Sequence, residues 1–380
     1  MNSSNFCTLI GAFALCVAVL GATVGAGAAT VRPQIGKPLQ QAQSNAASGR
    51  CDAAKANVRE AEGVGGKTGA ENQVVEQMKQ YVDVKCGSAD SAIGAKAKFA
   101  NDYNAGRYRA AIDDSELLRK YGALDATNMQ IIAQAYYKLG DYAGCVQYVR
   151  RNFGSGAGQE TLELERRCAF ESGDQDSERQ ALEELVGRTG KPEYWAQLLD
   201  AVEKTRGLND HETLDIYRVR LLTGSMRKSD DYKLLAELAL AYGCAGESEK
   251  VIEKGMSANV AGVTGNDFFA RLLNKAKGQF AADAANFAKA SAAANASKSG
   301  DDLVKLGESQ WALGRGDVTV QLVQAGISKG VTDKDNAEIR LGMGYLAKGQ
   351  KDAAQRAFAA ARTDPKESII AHVWSLYSRR

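Results

Sequence analysis

Proline and histidine are both scarce in this chain: 380 residues contain 4 prolines and 2 histidines. Few prolines leave long stretches free to be helical. His211 and His372 stand far apart in the sequence, which argues against a His-based triad or a His-rich metal site. Each is expected to be a surface or cap residue. Charge of one sign is also missing. Lys plus Arg number 48 and Asp plus Glu 46, so there is no excess of basic residues of the kind that tracks nucleic acid. No Cys-x-x-Cys pair, oxygen-rich calcium loop or sustained strand-like alternation occurs.

Two stretches imitate chemistry. Gly63-Val64-Gly65-Gly66-Lys67-Thr68 looks like a phosphate loop, but Ala61 stands where that motif needs its first glycine, and a helical pattern precedes it instead of a strand. It reads as a loop between helices. Glu160, Glu163, Glu165, Glu183 and Glu184 alternate with Arg166, Arg167, Arg179 and Arg188, as on solvated helix faces with i,i+4 pairs. No catalytic residue, metal, cofactor, small-molecule substrate or nucleic-acid partner is expected.

The N-terminus differs from the rest. No charged residue occurs from Cys7 to Ala29, the run Leu9 to Leu20 is apolar, and Ala26-Gly27-Ala28 offers a small-x-small cleavage pattern. A signal peptide over 1–29 is expected, with a retained membrane anchor as the competing reading. The body is then outside the cytoplasm, in a compartment that permits disulfides. Cys145 and Cys168 lie on either side of the turn-like stretch Gly154 to Gly158. Cys51 and Cys86 flank Gly63 to Gly69 in a similar way. Each pair is either a bridge contributing about 3 kcal/mol or two buried thiols acting as small apolar groups. Cys244 is left over.

Periodicity is the strongest feature. Phe99, Tyr103, Gly106, Tyr108 and Ala111 are followed at the same spacing by Ala133, Tyr137, Gly140, Tyr142 and Cys145. Gly106 and Gly140 are 34 residues apart. Leu306-Gly307 with Gly314 returns as Leu341-Gly342 with Gly349, both offset by 35. The second copy continues with Ala354, Phe358, Ala361 and Pro365. A glycine on a first helix lets the second helix approach, and alternating small and large residues interlock the two surfaces. The same key places turns near Gly49, Gly106, Gly140, Gly173, Gly207, Gly243 to Gly246, Gly278, Gly314 and Gly349. Pro38 and Pro192 are expected to open helices, a long helix to cover about 71–86, and a closing helix about 366–377.

This period and residue order resemble the tetratricopeptide repeat (TPR) family. The resemblance implies an all-α solenoid of about nine antiparallel helix pairs with a C-terminal capping helix, grouped as repeats 30–190 and 191–380. Glu338 and Arg166 depart from the repeat pattern. Such arrays bind proteins along the first helices of each pair. The corresponding candidates are Lys96, Tyr103 and Asn104, then Gln130, Gln134, Tyr137 and Lys138, with Asp200, Glu203 and Lys204 further on. Tyrosines with amides suit an extended guest, although Tyr103 and Tyr137 could equally be packing residues between repeats. Ala100 and Gln134 replace the Lys/Asn clamp that some TPR domains use for carboxylates.

A narrower likeness runs from Pro192 to the C-terminus. Pro192-Glu193-Tyr194-Trp195, Thr213-Leu214-Asp215-Ile216-Tyr217, Asp231-Tyr232-Lys233-Leu234-Leu235 and Trp374-Ser375-Leu376-Tyr377 resemble periplasmic TPR proteins of Gram-negative bacteria that accompany TonB, ExbB and ExbD. That resemblance implies a non-enzymatic periplasmic scaffold whose partners are inner-membrane energy-transducing proteins. An envelope assembly or secretion factor of the same architecture is the alternative.

Overall fold

A computed structural model describes residues 31–86, 91–205 and 207–380; the expected signal peptide over 1–29 lies outside them. All regular structure among the described residues is helical, and no described helix is long and apolar enough to cross a membrane. The chain forms two compact units, 1–125 and 126–380. The grouping into repeats 30–190 and 191–380 is a different cut, made on sequence likeness.

The first unit contains α1 (Pro33–Ala47), α2 (Cys51–Glu62), α3 (Gly69–Cys86), α4 (Ala92–Asn104), α5 (Tyr108–Asp113) and α6 (Ser115–Lys120). Pro33, not Pro38, opens α1, and Pro38 sits inside that helix with its side chain buried. Proline is best accommodated in the first turn, where no intrahelical donor is lost, and Pro33 takes that place. The core here includes Ala42, Ala46, Ala54, Val58 and Val82 in one cluster and Ile35, Leu39, Ala61 and Val75 in another, with Ala95, Phe99, Ile112 and Leu118 buried further along. Charged contacts supplement it. Arg32 donates to Glu71 through both Nε and Nη2, at 2.9 and 3.0 Å, and the hydrogen bond from Arg32 draws the Glu71 carboxyl down to about 2. Lys98 bridges Asp102 and Asp114. The glycine-rich stretch 63–68 is the loop between α2 and α3, and Lys67 is spent on the carbonyls of Glu62 and Val64, at 2.6 Å each.

The second unit continues with α7 (Ala126–Leu139), α8 (Tyr142–Phe153), α9 (Gln159–Ser172), α10 (Gln175–Thr189), α11 (Pro192–Glu203), α12 (Asp210–Thr223), α13 (Ser229–Ala241), α14 (Ala245–Ser257), α15 (Asp267–Ala296), α16 (Asp301–Trp311), α17 (Gly316–Lys329), α18 (Lys334–Ala347), α19 (Lys351–Ala360) and α20 (Pro365–Ser378). Hairpins form at most of the places the repeat key gives, with turn glycines at positive φ, 81° at Gly140 and 73° at Gly349. Aspartates cap several second helices: Asp141 accepts from Gly144 N and Asp174 from Ser177 N, each at 3.0 Å.

The turn expected at Gly278 does not form. One helix of 30 residues, α15, runs straight through it. Gly278 is absent from the positive-φ glycines, and its surroundings are rich in alanine. One glycine costs a helix only about 1 kcal/mol against alanine, too little to break such a run without a packing partner demanding it.

Close packing follows the expected chemistry in the last hairpins. A Cβ on Gly307 would come within 2.7 Å of Val323, and one on Gly342 would collide with the ring of Phe358. Phe358 in turn stacks on Trp374 of α20, with centroids 6.2 Å apart. Trp374 and Trp195 are fully buried in a single large core that joins α10 to α14 with α18, α19 and α20. Helix α20 therefore packs on α12 as well as on α18 and α19. A plain solenoid joins only neighbouring repeats; here the last helix reaches back to α12, more than 140 residues earlier in the chain.

Candidate functional site

The first-helix candidates divide between the units. On α4, Lys96 pairs with Asp125 at 2.8 Å and is exposed, Asn104 is exposed, and Tyr103 is half-buried. On α7, Lys138 is exposed, while Gln130, Gln134 and Tyr137 are half-buried; Gln130 donates to Glu160 of α9 at 3.1 Å. Tyr103 meets Tyr108 at 5.6 Å, and Tyr137 meets Tyr142 at 5.5 Å. These tyrosines pack across the turn of their own hairpin, at equivalent places in two copies. Burial raises the Tyr103 hydroxyl above its ordinary value, with the neighbouring Tyr108 adding to the shift. In the later candidates, Asp200 and Glu203 are both held by Arg220, at 2.6 and 2.5 Å.

The cysteines meet as two bridges. Cys145 and Cys168 join α8 to α9 with Cα atoms 6.1 Å apart, and Cys51 and Cys86 join the start of α2 to the end of α3 with Cα atoms 5.4 Å apart. Cys244 is buried and unbridged. Burial, with Glu308 nearby, pushes its thiol well above the ordinary range despite Arg218.

Sequence reasoning missed the interior of the second unit. Asp215 and Arg218 on α12, Glu247 on α14, Glu308 on α16 and Arg340 on α18 are all buried. Arg218 grips Glu247 with two bonds, Nε to Oε1 at 2.9 Å and Nη2 to Oε2 at 2.6 Å. Its Nη1 reaches Asp215 at 3.0 Å and Glu308 at 2.6 Å. Arg340 forms a fork with Asp215, at 2.5 and 2.6 Å. Burial alone would raise the Glu308 carboxyl, but the charges of Arg340 and Arg218 and the contact with His211 outweigh it and hold the group well below its ordinary value. Both guanidiniums are buried against these carboxylates. The network clamps four helices together.

His211 belongs to this network, which corrects its reading as a surface or cap residue. It lies in the first turn of α12, within 2.8 Å of Glu308 and 3.1 Å of Asn336, with its ring stacked on Tyr242 at 4.3 Å. His372 is half-exposed and meets Glu183 at 3.0 Å. The Glu/Arg stretch is also only partly a solvated face. Arg188 pairs with Glu184 and Arg179 with Glu183 at i,i+4, but Glu165 is buried and pairs with Arg150 of the preceding helix at 2.8 Å. Among the described residues no cluster of His, Cys, Asp or Glu could hold a metal ion.

No family model matches the chain, and no curated protein matches it. Among solved structures, the chain is similar to the TPR2AB domain of yeast Sti1 in its complex with an Hsp90 peptide, at 13% identity over 76% of this chain and 97% of that one, with a TM-score of 0.25. It is also similar to the TPR domain of P58(IPK), at 12% identity over 90% of this chain and 79% of that one, with a TM-score of 0.24. At these scores the superpositions carry no argument. The helical array described above stands on this chain's own helices.

Proposed function

We propose that the protein is a TPR-type scaffold that binds another protein along the first helices of its regular hairpins. The observation that carries this reading is the repeated register of α4 and α7. Each presents a half-buried tyrosine followed by an exposed polar residue, Tyr103 with Asn104 and Tyr137 with Lys138. A tyrosine held by its neighbour across the turn is preorganised, so a guest gains aromatic area at little entropic cost. The finer reading is a periplasmic partner of a TonB, ExbB and ExbD system. The sequence likeness over 192–380 supports it, and the two bridges fit an oxidising compartment. Repeats 30–190 and 191–380 are the proposed halves of the scaffold, behind a signal peptide over 1–29.

Photo-crosslinkers at positions 104 and 138 test this in a Gram-negative envelope carrying the energy-transducing proteins. Adducts of the position-104 crosslinker with the periplasmic parts of TonB or ExbD, reduced at least about fivefold by replacing Tyr137 and Lys138 together, are the expected result. Adducts with outer-membrane assembly proteins would favour the alternative function. Adducts unchanged by the double replacement would remove α7 from the binding face.

A further inference from the structure

The second unit contains a cavity of about 710 Å³ that the protein-binding reading does not use. Helices α12, α14, α18 and α20, with the ends of α16 and α19, line it, and one side is open to solvent. Its apolar wall includes Trp311, Trp374, Tyr377 and Leu221. The aromatic rings stand edge to face, Trp311 against Trp374 at 5.6 Å and Trp374 against Tyr377 at 6.1 Å, and the Arg218 guanidinium lies 5.4 Å from the Trp311 ring.

The charged lining groups that have no ion-pair partner among the described residues are cationic. Lys250, Lys254 and Lys351 line the cavity and are exposed. Lys250 donates to the Ala312 carbonyl at 2.8 Å and Lys254 to the Leu221 carbonyl at 3.4 Å, which holds both ammonium groups across the cavity from α14. A carbonyl takes one of an ammonium's three donors and cancels none of its charge. Among the described residues none of the three lysines is paired with a carboxylate. Glu247, the acidic residue lining the cavity, is occupied at both oxygens by Arg218. The Nε1–H of Trp374 is buried with no acceptor. A volume in the range of small-ligand sites, flat aromatic walls and three uncompensated cations together select one chemistry.

We infer that this cavity binds a small organic anion with a flat apolar body, an aromatic carboxylate or sulfonate. The ring would lie against Trp311 and Tyr377, the partly exposed aromatics of the wall, and the anionic group would face Lys250, Lys254 and Lys351. The cavity shares no lining residue with the α4 or α7 candidates, and the inference stands or falls independently of them.

The chain has 3 tryptophans, and two of them line the cavity, so intrinsic fluorescence reports on it. The full chain is titrated with 1-naphthoate and, in parallel, with the uncharged 1-naphthalenemethanol. The expected result is saturable quenching by naphthoate, with the alcohol binding at least about tenfold more weakly. A Lys250→Glu/Lys254→Glu variant, both positions exposed and its helix content checked by circular dichroism, should weaken naphthoate at least about tenfold and leave the alcohol unchanged. If the double variant fails to fold, Lys351→Glu alone should show the same selective loss. A glutamate-rich peptide without aromatic residues should compete poorly. Equal binding of acid and alcohol, no saturable signal, lysine variants that bind naphthoate normally, or full competition by the peptide would each overturn the inference.

Discussion

The joint between α18 and α19 and the joint between α12 and α18 lie in one unit and rest on different chemistry. In the hairpin, Gly342 makes room for the ring of Phe358, and the ring stacks on Trp374. Contact is local, apolar and spaced by the repeat. In α12, buried residues occur on every side, and they include Asp215, Arg218 and Arg220. Contact there is long-range and charged: Arg340 finds Asp215 across 125 residues. A repeat needs only its neighbours to bury its apolar stripe, whereas a helix enclosed by the coil of its own array must satisfy polar groups on all faces. Charges buried in this way add specificity of arrangement more readily than net stability.

The contrast can be broken most forcefully at Arg340. Arg340→Met leaves the buried Asp215 without its fork and should cost about 3–5 kcal/mol in denaturant unfolding. Asp215→Leu with Arg340→Met should regain much of that loss, because the remaining partners are then closer to balance. A single variant costing less than about 1 kcal/mol would show that the network does not hold α12 to α18.

Glu367 tests the same contrast where α20 meets α18. Burial, then its hydrogen bond with Asp333 and the negative charges of Asp333 and Asp335, raise its carboxyl from 4.5 to about 8, against the opposing pull of Arg340. The native state thus keeps a proton that the unfolded chain gives up. Stability from this group is fully present below pH 4.5 and declines as pH rises toward 8. Glu367→Gln should flatten that part of the melting-temperature profile. A profile unchanged by the substitution would place the titration elsewhere.

Two glycines sharpen the comparison at the smallest scale, with opposite signs. Gly342→Ala drives a methyl into Phe358 and should cost about 1–3 kcal/mol. Gly278→Ala meets nothing within 4 Å in a continuous exposed helix and should stabilise by up to about 1 kcal/mol. Destabilisation at position 278 would mean that the chain does turn there, as its period suggests.

The hairpins were legible because each uses a local code. Gly106 with Tyr103 and Tyr108, and Gly140 with Tyr137 and Tyr142, state a turn and its packing within a few residues of each other. Gly278 misled because a period marks where a turn is allowed, while alanines on both sides settle whether the helix breaks. The candidate residues on α4 and on α7 could be read one by one, but the sequence left open whether their tyrosines pack or bind, and the rings against Tyr108 and Tyr142 show packing across each turn. His211 and Glu308 were unreadable as a pair, since nothing near either one names the other.

Local sequence was enough for the helices, most of their turns and the repeat that stacks them, because helix propensity, glycine turns and i,i+3/i+4 spacing act over distances shorter than one hairpin. Only the tertiary structure decided that α20 packs back on α12, that two arginines are enclosed with three carboxylates, and that a lysine-rimmed aromatic cavity lies beside them. Those outcomes depend on how small rotations between successive hairpins accumulate, and no local stretch of sequence encodes that sum.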